Sequence, residues 1–224
     1  MCGRFAFYSP HEAIVRLFDV AEAPEIEPRY NIAPTQFVPV VRVTQGAVRR
    51  LAELYWGLLP SWAKEKSMAA RMINARSETI AEKPAFRAAI RRRRCLVLAS
   101  GYYEWHAVAG GKQPYFIRRR DADPMAFAGI WESWVERDGE PPLESCAIVT
   151  TEATGSLAQI HHRMPVVLAP DDCNLWLDPA VADPARLAPL YGRVDAAALE
   201  SYAVSKRVNN ARNQGADLIA PAGD

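Results

Sequence analysis

Arg94-Cys95-Leu96-Val97-Leu98-Ala99-Ser100-Gly101-Tyr102-Tyr103-Glu104-Trp105-His106-Ala107-Val108 is the stretch whose reading decides the fold. Arg94 to Ala99 is an apolar run too short for a helix, so it reads as a strand covered on both faces, with Cys95 a small core residue. Beyond Ser100, Gly101 to Val108 reads as a second strand, closed by a Gly110-Gly111 turn and answered by Pro114 to Arg118. Met125 to Trp131 and Ser145 to Thr151 repeat the pattern, the latter with Cys146 in another apolar run. Strands joined by short turns pair antiparallel, so this half of the chain predicts a mostly antiparallel sheet.

Working outward, Phe37 to Val43 and Ala47 to Trp56 flank a Gln45-Gly46 turn and predict a hairpin, preceded by an irregular stretch over Glu25 to Gln36 that contains Pro28 and Pro34. Cys2 to Tyr8 reads as extended. Ser9-Pro10-His11-Glu12 fits a capping box and predicts a helix to about Asp19 with Ser9 as N-cap. Helical patterns follow at Ser77 to Ala81 and from Pro84 to about Arg93, where Arg91 to Arg94 reads as a solvated last turn or a phosphate contact. After Pro165 to Leu168, helices are expected near Asp171 to Leu177 and Pro184 to Tyr191, with a last strand at Ser201 to Ser205 and a polar tail. The expected class is α+β: a mostly antiparallel, curved or barrel-like sheet core with peripheral helices, in one domain spanning residues 1–224.

Composition narrows the function. The 224 residues are 50% hydrophobic and 24% charged, which excludes a disordered or collagen-like chain. No apolar stretch approaches the roughly 18 residues of a membrane span, and the N-terminus has no apolar signal core, so a soluble cytoplasmic protein without membrane contact is expected. A formal charge of +1 conceals an asymmetry: residues 1–120 hold 20 basic and 10 acidic side chains, the remainder 7 and 16. Arg outnumbers Lys 22 to 5, which suits forked contacts to a polyanion and equally suits a GC-rich genome. Cysteines at 2, 95, 146 and 173 form no CxxC pair and no zinc spacing with His, so neither metal nor cofactor is expected. Cys2 stands apart, because removal of Met1 leaves it carrying both a thiol and a free α-amine.

Three short segments could build a site. Glu104, between aromatic residues in its strand, is either a solvent-facing carboxylate or one held in a desolvated pocket with a raised pKa. His161-His162-Arg163-Met164-Pro165 places two imidazoles and a guanidinium in a turn before an apolar strand. Asn74, ahead of Ser77-Glu78, suits either a helix start or a site.

Together with Met1-Cys2-Gly3-Arg4-Phe5, Arg29-Tyr30-Asn31-Ile32-Ala33-Pro34, Trp56-Gly57-Leu58, Ile73-Asn74-Ala75-Arg76-Ser77-Glu78-Thr79, Gly101-Tyr102-Tyr103-Glu104-Trp105 and Asn213-Gln214-Gly215, these segments resemble the SOS response-associated peptidase (SRAP) family, in family order from Cys2 to about Pro221. The resemblance implies the SRAP fold and a bacterial protein, nucleoid-associated when acting, that senses abasic sites in single-stranded DNA and crosslinks to them covalently, as a monomer. It implies Cys2 as nucleophile, Asn74 as the residue positioning it, Glu104 as the neighbouring carboxylate and His161 as proton donor to the opened sugar. Arg4, Trp62, Arg76, Thr150 and Arg163 match family positions near the DNA. Trp62-Ala63 departs from the paired tryptophans of many bacterial members, which bears on base stacking rather than on the chemistry.

A 1,2-aminothiol suits an aldehyde: the amine forms an imine and the thiol closes it to a thiazolidine. At ordinary pKa values roughly a tenth of the amine is neutral at pH 7 and a few per cent of the thiol is ionised, so modest tuning is expected to suffice. Two other readings remain at this stage. A cysteine peptidase or amidohydrolase would use Cys2 with His161 as base, and a non-covalent binder of single-stranded DNA would use the arginine-rich half alone.

Overall fold

The computed structural model describes residues 2–21, 24–44, 48–136 and 139–223. Two sheets organise it. The first is built from β3 (Phe37–Val43), β4 (Arg49–Trp56), β6 (Arg94–Ala99), β9 (Met125–Trp134) and β10 (Leu143–Glu152). β4, β3, β6 and β9 pair antiparallel in that order, β9 pairs antiparallel with β10, and β10 pairs parallel with β4, so the five strands close into a barrel. Closure removes the free edges that an open apolar sheet would expose. At the end of β10 the short β5 (Asn74–Arg76) joins in parallel and β11 (Arg163–Pro165) antiparallel, and β12 (Val167–Leu168) pairs with β9.

The second sheet is open, with strand order β13 (Leu199–Ala203), β8 (Gly111–Arg119), β7 (Gly101–Val108), β1 (Phe5–Phe7) and β2 (Arg29–Ile32). It is antiparallel throughout. Gly101 belongs here by necessity, since a Cβ at that position would lie 2.1 Å from Phe116 Cζ. The two sheets share one core, in which Phe5 from β1 packs against Trp56 and Phe127 from the barrel.

β6 is buried at every position, as an uninterrupted apolar run demands. Its outer cover is α3 (Pro170–Leu177), whose fully buried Trp176 donates its indole N–H to Cys95 O at 2.9 Å. Two more short helices, α1 (His11–Phe18) and α2 (Ala89–Arg92), lie outside the sheets. The α+β class with a largely antiparallel, barrel-like core is therefore what forms. The parallel pairs β4–β10 and β5–β10 depart from the antiparallel expectation because they join strands distant in sequence, which no short turn constrains.

Several local readings need correction. Ser9 does not cap α1: Pro10 holds that position, and the Ser9 hydroxyl meets Ser100 Oγ at 2.7 Å. Arg29 to Ile32, read as irregular, is strand β2. Ser77 to Ala88 is a chain of turns, leaving only Ala89–Arg92 as α-helix, and Pro184 to Gly192 forms two 3-10 segments. The predicted Gln45-Gly46 turn falls outside the described residues. The four arginines are not one solvated turn. Arg94 is buried and donates to the carbonyls of Ile90, Arg91, Trp176 and Asp178, closing the ends of α2 and α3, while Arg93 pairs with Glu132. No helix among the described residues is long and apolar enough to cross a membrane.

Candidate functional site

β1 brings the chain's beginning alongside β7. Phe5 lies opposite Tyr102, and the Tyr103 amide donates to Arg4 O at 2.9 Å, a register that runs the Cys2-Gly3 end toward Glu104. Cys2 is fully buried, and so are all four cysteines, each a free thiol. Burial first, and then the Glu104 carboxylate, raises the Cys2 pKa far above the usual thiol range. In the chain that carries Met1 the thiol is thereby shifted toward its neutral form.

Glu104 is 4% exposed, and burial raises its carboxyl above the ordinary glutamate value. Of its two sequence readings the desolvated pocket is the one that forms. A carboxyl with a raised pKa can give and take a proton near neutral pH. Asn74 stands on β5, where its Nδ2 donates to Cys2 O at 2.8 Å. Its Oδ1 is buried without a hydrogen-bond partner among the described residues. The helix-start reading of Asn74 falls away, because β5 pairs with Ile148 to Thr150 of β10.

His161 precedes β11. Its Nδ1 lies 3.0 Å from the Arg163 amide nitrogen and 3.2 Å from the Arg163 carbonyl oxygen, so both backbone groups of Arg163 fix the ring through Nδ1. Burial lowers its pKa, keeping the neutral form dominant at pH 7, and His162 stacks on it with ring centroids 4.4 Å apart. Arg163 is buried, forks onto both carboxylate oxygens of Glu78, and donates to Thr150 O at 2.7 Å.

The expected DNA-contact positions thus divide. Arg76 is exposed and, with His162 and Arg163, lines a groove of about 400 Å³. Trp62, 55% exposed, lines a separate groove of about 400 Å³ with Lys64, Met68 and Arg71. Thr150 is fully buried beneath Arg163. Arg4 is turned inward, donating to Asn31 Oδ1 at 2.7 Å and Val208 O at 2.8 Å, with its guanidinium 5.9 Å from the Trp105 ring centroid. No cluster of metal-ligating side chains is found among the described residues.

A family description, SOS response associated peptidase (SRAP), matches residues 1–211. The chain belongs to the SRAP family. Its SRAP relatives include the abasic site processing protein YoaM of Bacillus subtilis (strain 168), 41% identical over 223 residues, covering 98% of this chain and 97% of that one. The abasic site processing protein YedK of Escherichia coli (strain K12) is 34% identical over 228 residues, covering 99% and 100%. The abasic site processing protein HMCES of Gallus gallus is 35% identical over 224 residues, covering 87% of this chain and 66% of that longer one. Among solved structures, a phage-related protein of Bordetella bronchiseptica superposes with a TM-score of 0.74 at 34% identity, covering 92% and 95%.

Within this SRAP chain, reading from sequence missed three contributors. Glu78 neutralises Arg163, and lay inside a quoted motif without a role. Tyr102 is buried beside Cys2 and Glu104, and burial, with those two groups adding, lifts its hydroxyl far above the usual phenol range. Asn31 is fully buried; its Nδ2 donates to the carbonyls of Val208, Asn210 and Asn213, and Gln214 bridges the Tyr30 and Asn31 backbone. That clasp ties the C-terminal segment to the β2 edge beside β1. No local signal in the sequence pairs positions so far apart.

Proposed function

We propose that the protein acts as a monomer on single-stranded DNA, capturing abasic sites covalently through Cys2 once Met1 has been removed. The observation that carries this reading is the placement of Cys2: buried, held through its carbonyl by Asn74, and beside a carboxyl whose pKa burial has raised. In the chain beginning at Cys2, the free α-amine attacks the aldehyde of the ring-opened deoxyribose to give a carbinolamine. Loss of one water yields the imine, and the Cys2 thiol adds to the imine carbon, passing its proton to the nitrogen as the thiazolidine closes.

Each step moves a proton. His161 in its imidazolium form gives a proton to the sugar ring oxygen as Glu104 takes that of the C1′ hydroxyl; Glu104 then returns the proton to the carbinolamine hydroxyl, which leaves as water, and accepts one from the nitrogen as the imine forms. The partnerless Asn74 Oδ1 is the acceptor available to the new α-amine, so both ends of one amide orient the nucleophile. Arg76 meets phosphate in its groove, and Trp62 stacks a base in the other. Arg4, Thr150 and Arg163 act at one remove, Arg4 by fixing β1 and Arg163 by holding His161 through its backbone.

A cysteine peptidase or amidohydrolase needs a thiolate paired with a histidine. Here burial and Glu104 both oppose the thiolate, which supports the aminothiol reading over the hydrolytic one. The test is incubation with an oligonucleotide bearing one abasic site, resolved under denaturing conditions. The wild-type protein is expected to form a band that survives denaturation, and Cys2→Ala none. A Cys2→Ala protein that crosslinks as fully as wild type would overturn the reading.

A further inference from the structure

The arginine run singled out in the sequence is used only in part by the fold. Arg94 closes two helix ends and Arg93 is paired, but Lys83, Arg87, Arg91 and Arg92 are exposed and form no ion pair among the described residues. Glu82 is the sole acidic residue between Thr79 and Arg94. The Arg87 amide donates to Lys83 O at 2.9 Å, one turn between those two side chains, and Arg91 lies four residues further on, within α2. Neighbours at that interval stand about 6 Å apart along a surface, a spacing that lets successive cations meet successive phosphates of one strand.

This row joins the site. Arg76 lines the groove that holds His162, and its neighbour Ser77 lines a second groove of about 320 Å³ with Ile80, Arg91, Pro184 and Tyr191. Chain neighbours, Arg76 and Ser77, thus line one groove each. The buried hydroxyl of Tyr191 has no hydrogen-bond partner among the described residues. Asp183, on the same wall, has its carboxylate turned to the Ala185 amide at 3.0 Å.

We propose that Lys83, Arg87 and Arg91, with the groove beneath Arg91, form a second phosphate track that carries the DNA strand leaving the lesion on one side. The inference rests on the abasic-site reading, and charge complementarity selects its occupant: four exposed cations against Glu82 in the segment, and Asp183 on the groove wall with a carboxylate oxygen bonded to the Ala185 amide, fit a polyanionic backbone. The track supplies affinity without base preference and leaves the chemistry untouched.

The test uses oligonucleotides carrying a stable abasic analogue without an aldehyde: a short one, and two extended only on the 5′ or only on the 3′ side. Wild-type protein is expected to gain affinity from one extension. The triple variant Lys83→Gln, Arg87→Gln, Arg91→Gln is expected to lose that gain, about tenfold at low salt, and to lower the salt slope by about 2, at about 0.7 per phosphate contact. Its crosslinking to a short, authentic abasic oligonucleotide is expected to match wild type. Equal losses on both extensions, or none on either, overturn the track. Failure of wild-type protein to crosslink the short substrate refutes the abasic-site reading instead, so the two failures are distinguishable.

Discussion

The closed barrel and the open sheet beside it solve opposite problems. In the barrel, β3, β4, β6, β9 and β10 leave no edge, and the buried polar side chains on its strands away from the end of β10, Arg94, Glu132 and Ser145, are each hydrogen-bonded within an apolar core. Around the open sheet and the end of β10 the protein instead buries Asn31, Glu104, Thr150 and Arg163, and covers the β2 edge with a segment from the far end of the chain. Burying such groups costs several kcal/mol each unless they are bonded, so this region depends on its hydrogen bonds, those of Asn31 and Arg163 among them, where the barrel depends on apolar packing. The comparison teaches where polar side chains can be gathered: in a region held by hydrogen bonds, next to one held by apolar packing.

Breaking the barrel should have the largest effect on folding and the least on chemistry. Trp176→Ala empties the space between α3 and β6 and strands the Cys95 carbonyl, for an expected loss of about 3–5 kcal/mol. Chemical denaturation measures the loss, while the rate of adduct formation per folded molecule should stay at the wild-type value. A comparable drop in that rate would mean that the two regions are not separable.

Glu104→Gln should do the reverse. Adduct formation is expected to slow by about 10²-fold or more, the scale of one general acid–base group. Because burial raises the folded-state pKa of Glu104, the native protein binds more protons here than the unfolded chain does. Stability from this group is full below its unfolded pKa of about 4 and is lost as pH rises through the folded value. The variant should therefore be more stable than wild type at pH 7, with the difference vanishing near pH 4. Thermal melts across that range check the sign, and a variant less stable at pH 7 would contradict it.

The smallest effect is expected at the link between the regions. Thr35, between β2 and β3, has φ of 67°, a left-handed conformation that a β-branched residue resists. Its amide still donates to Trp56 O at 2.8 Å. Thr35→Gly relieves the strain and keeps that bond, for an expected gain of up to about 1 kcal/mol, or about 2–4 °C in Tm. An unchanged or lower Tm would mean that the turn stores no strain.

The same division explains what was legible in the chain itself. Arg94 to Ala99 and Met125 to Trp131 could be read as strands because an apolar run covered on both faces carries its own signal. The two parallel pairings of β10 could not, since they depend on which distant strands meet. Within the quoted motifs, residues of two kinds stand side by side. Gly101 is required by the Phe116 ring and Gly57 by its φ of +139° against Ala69, whereas Cys2, Asn74 and Glu104 cluster around one thiol. A motif marks both kinds alike, and only the fold separates a glycine that makes room from a carboxyl buried beside a thiol. Arg163 shows the limit most clearly: its guanidinium forks onto Glu78, 85 positions away, a pairing that no local signal in the sequence marks.

The most direct test of the account is the intact mass of the protein before and after exposure to an oligonucleotide with one abasic site. A free chain beginning at Cys2, and an adduct equal to protein plus DNA less one water, is the predicted result. A chain already lacking Met1 that forms no adduct, or one whose adduct mass retains that water, would contradict thiazolidine capture by Cys2.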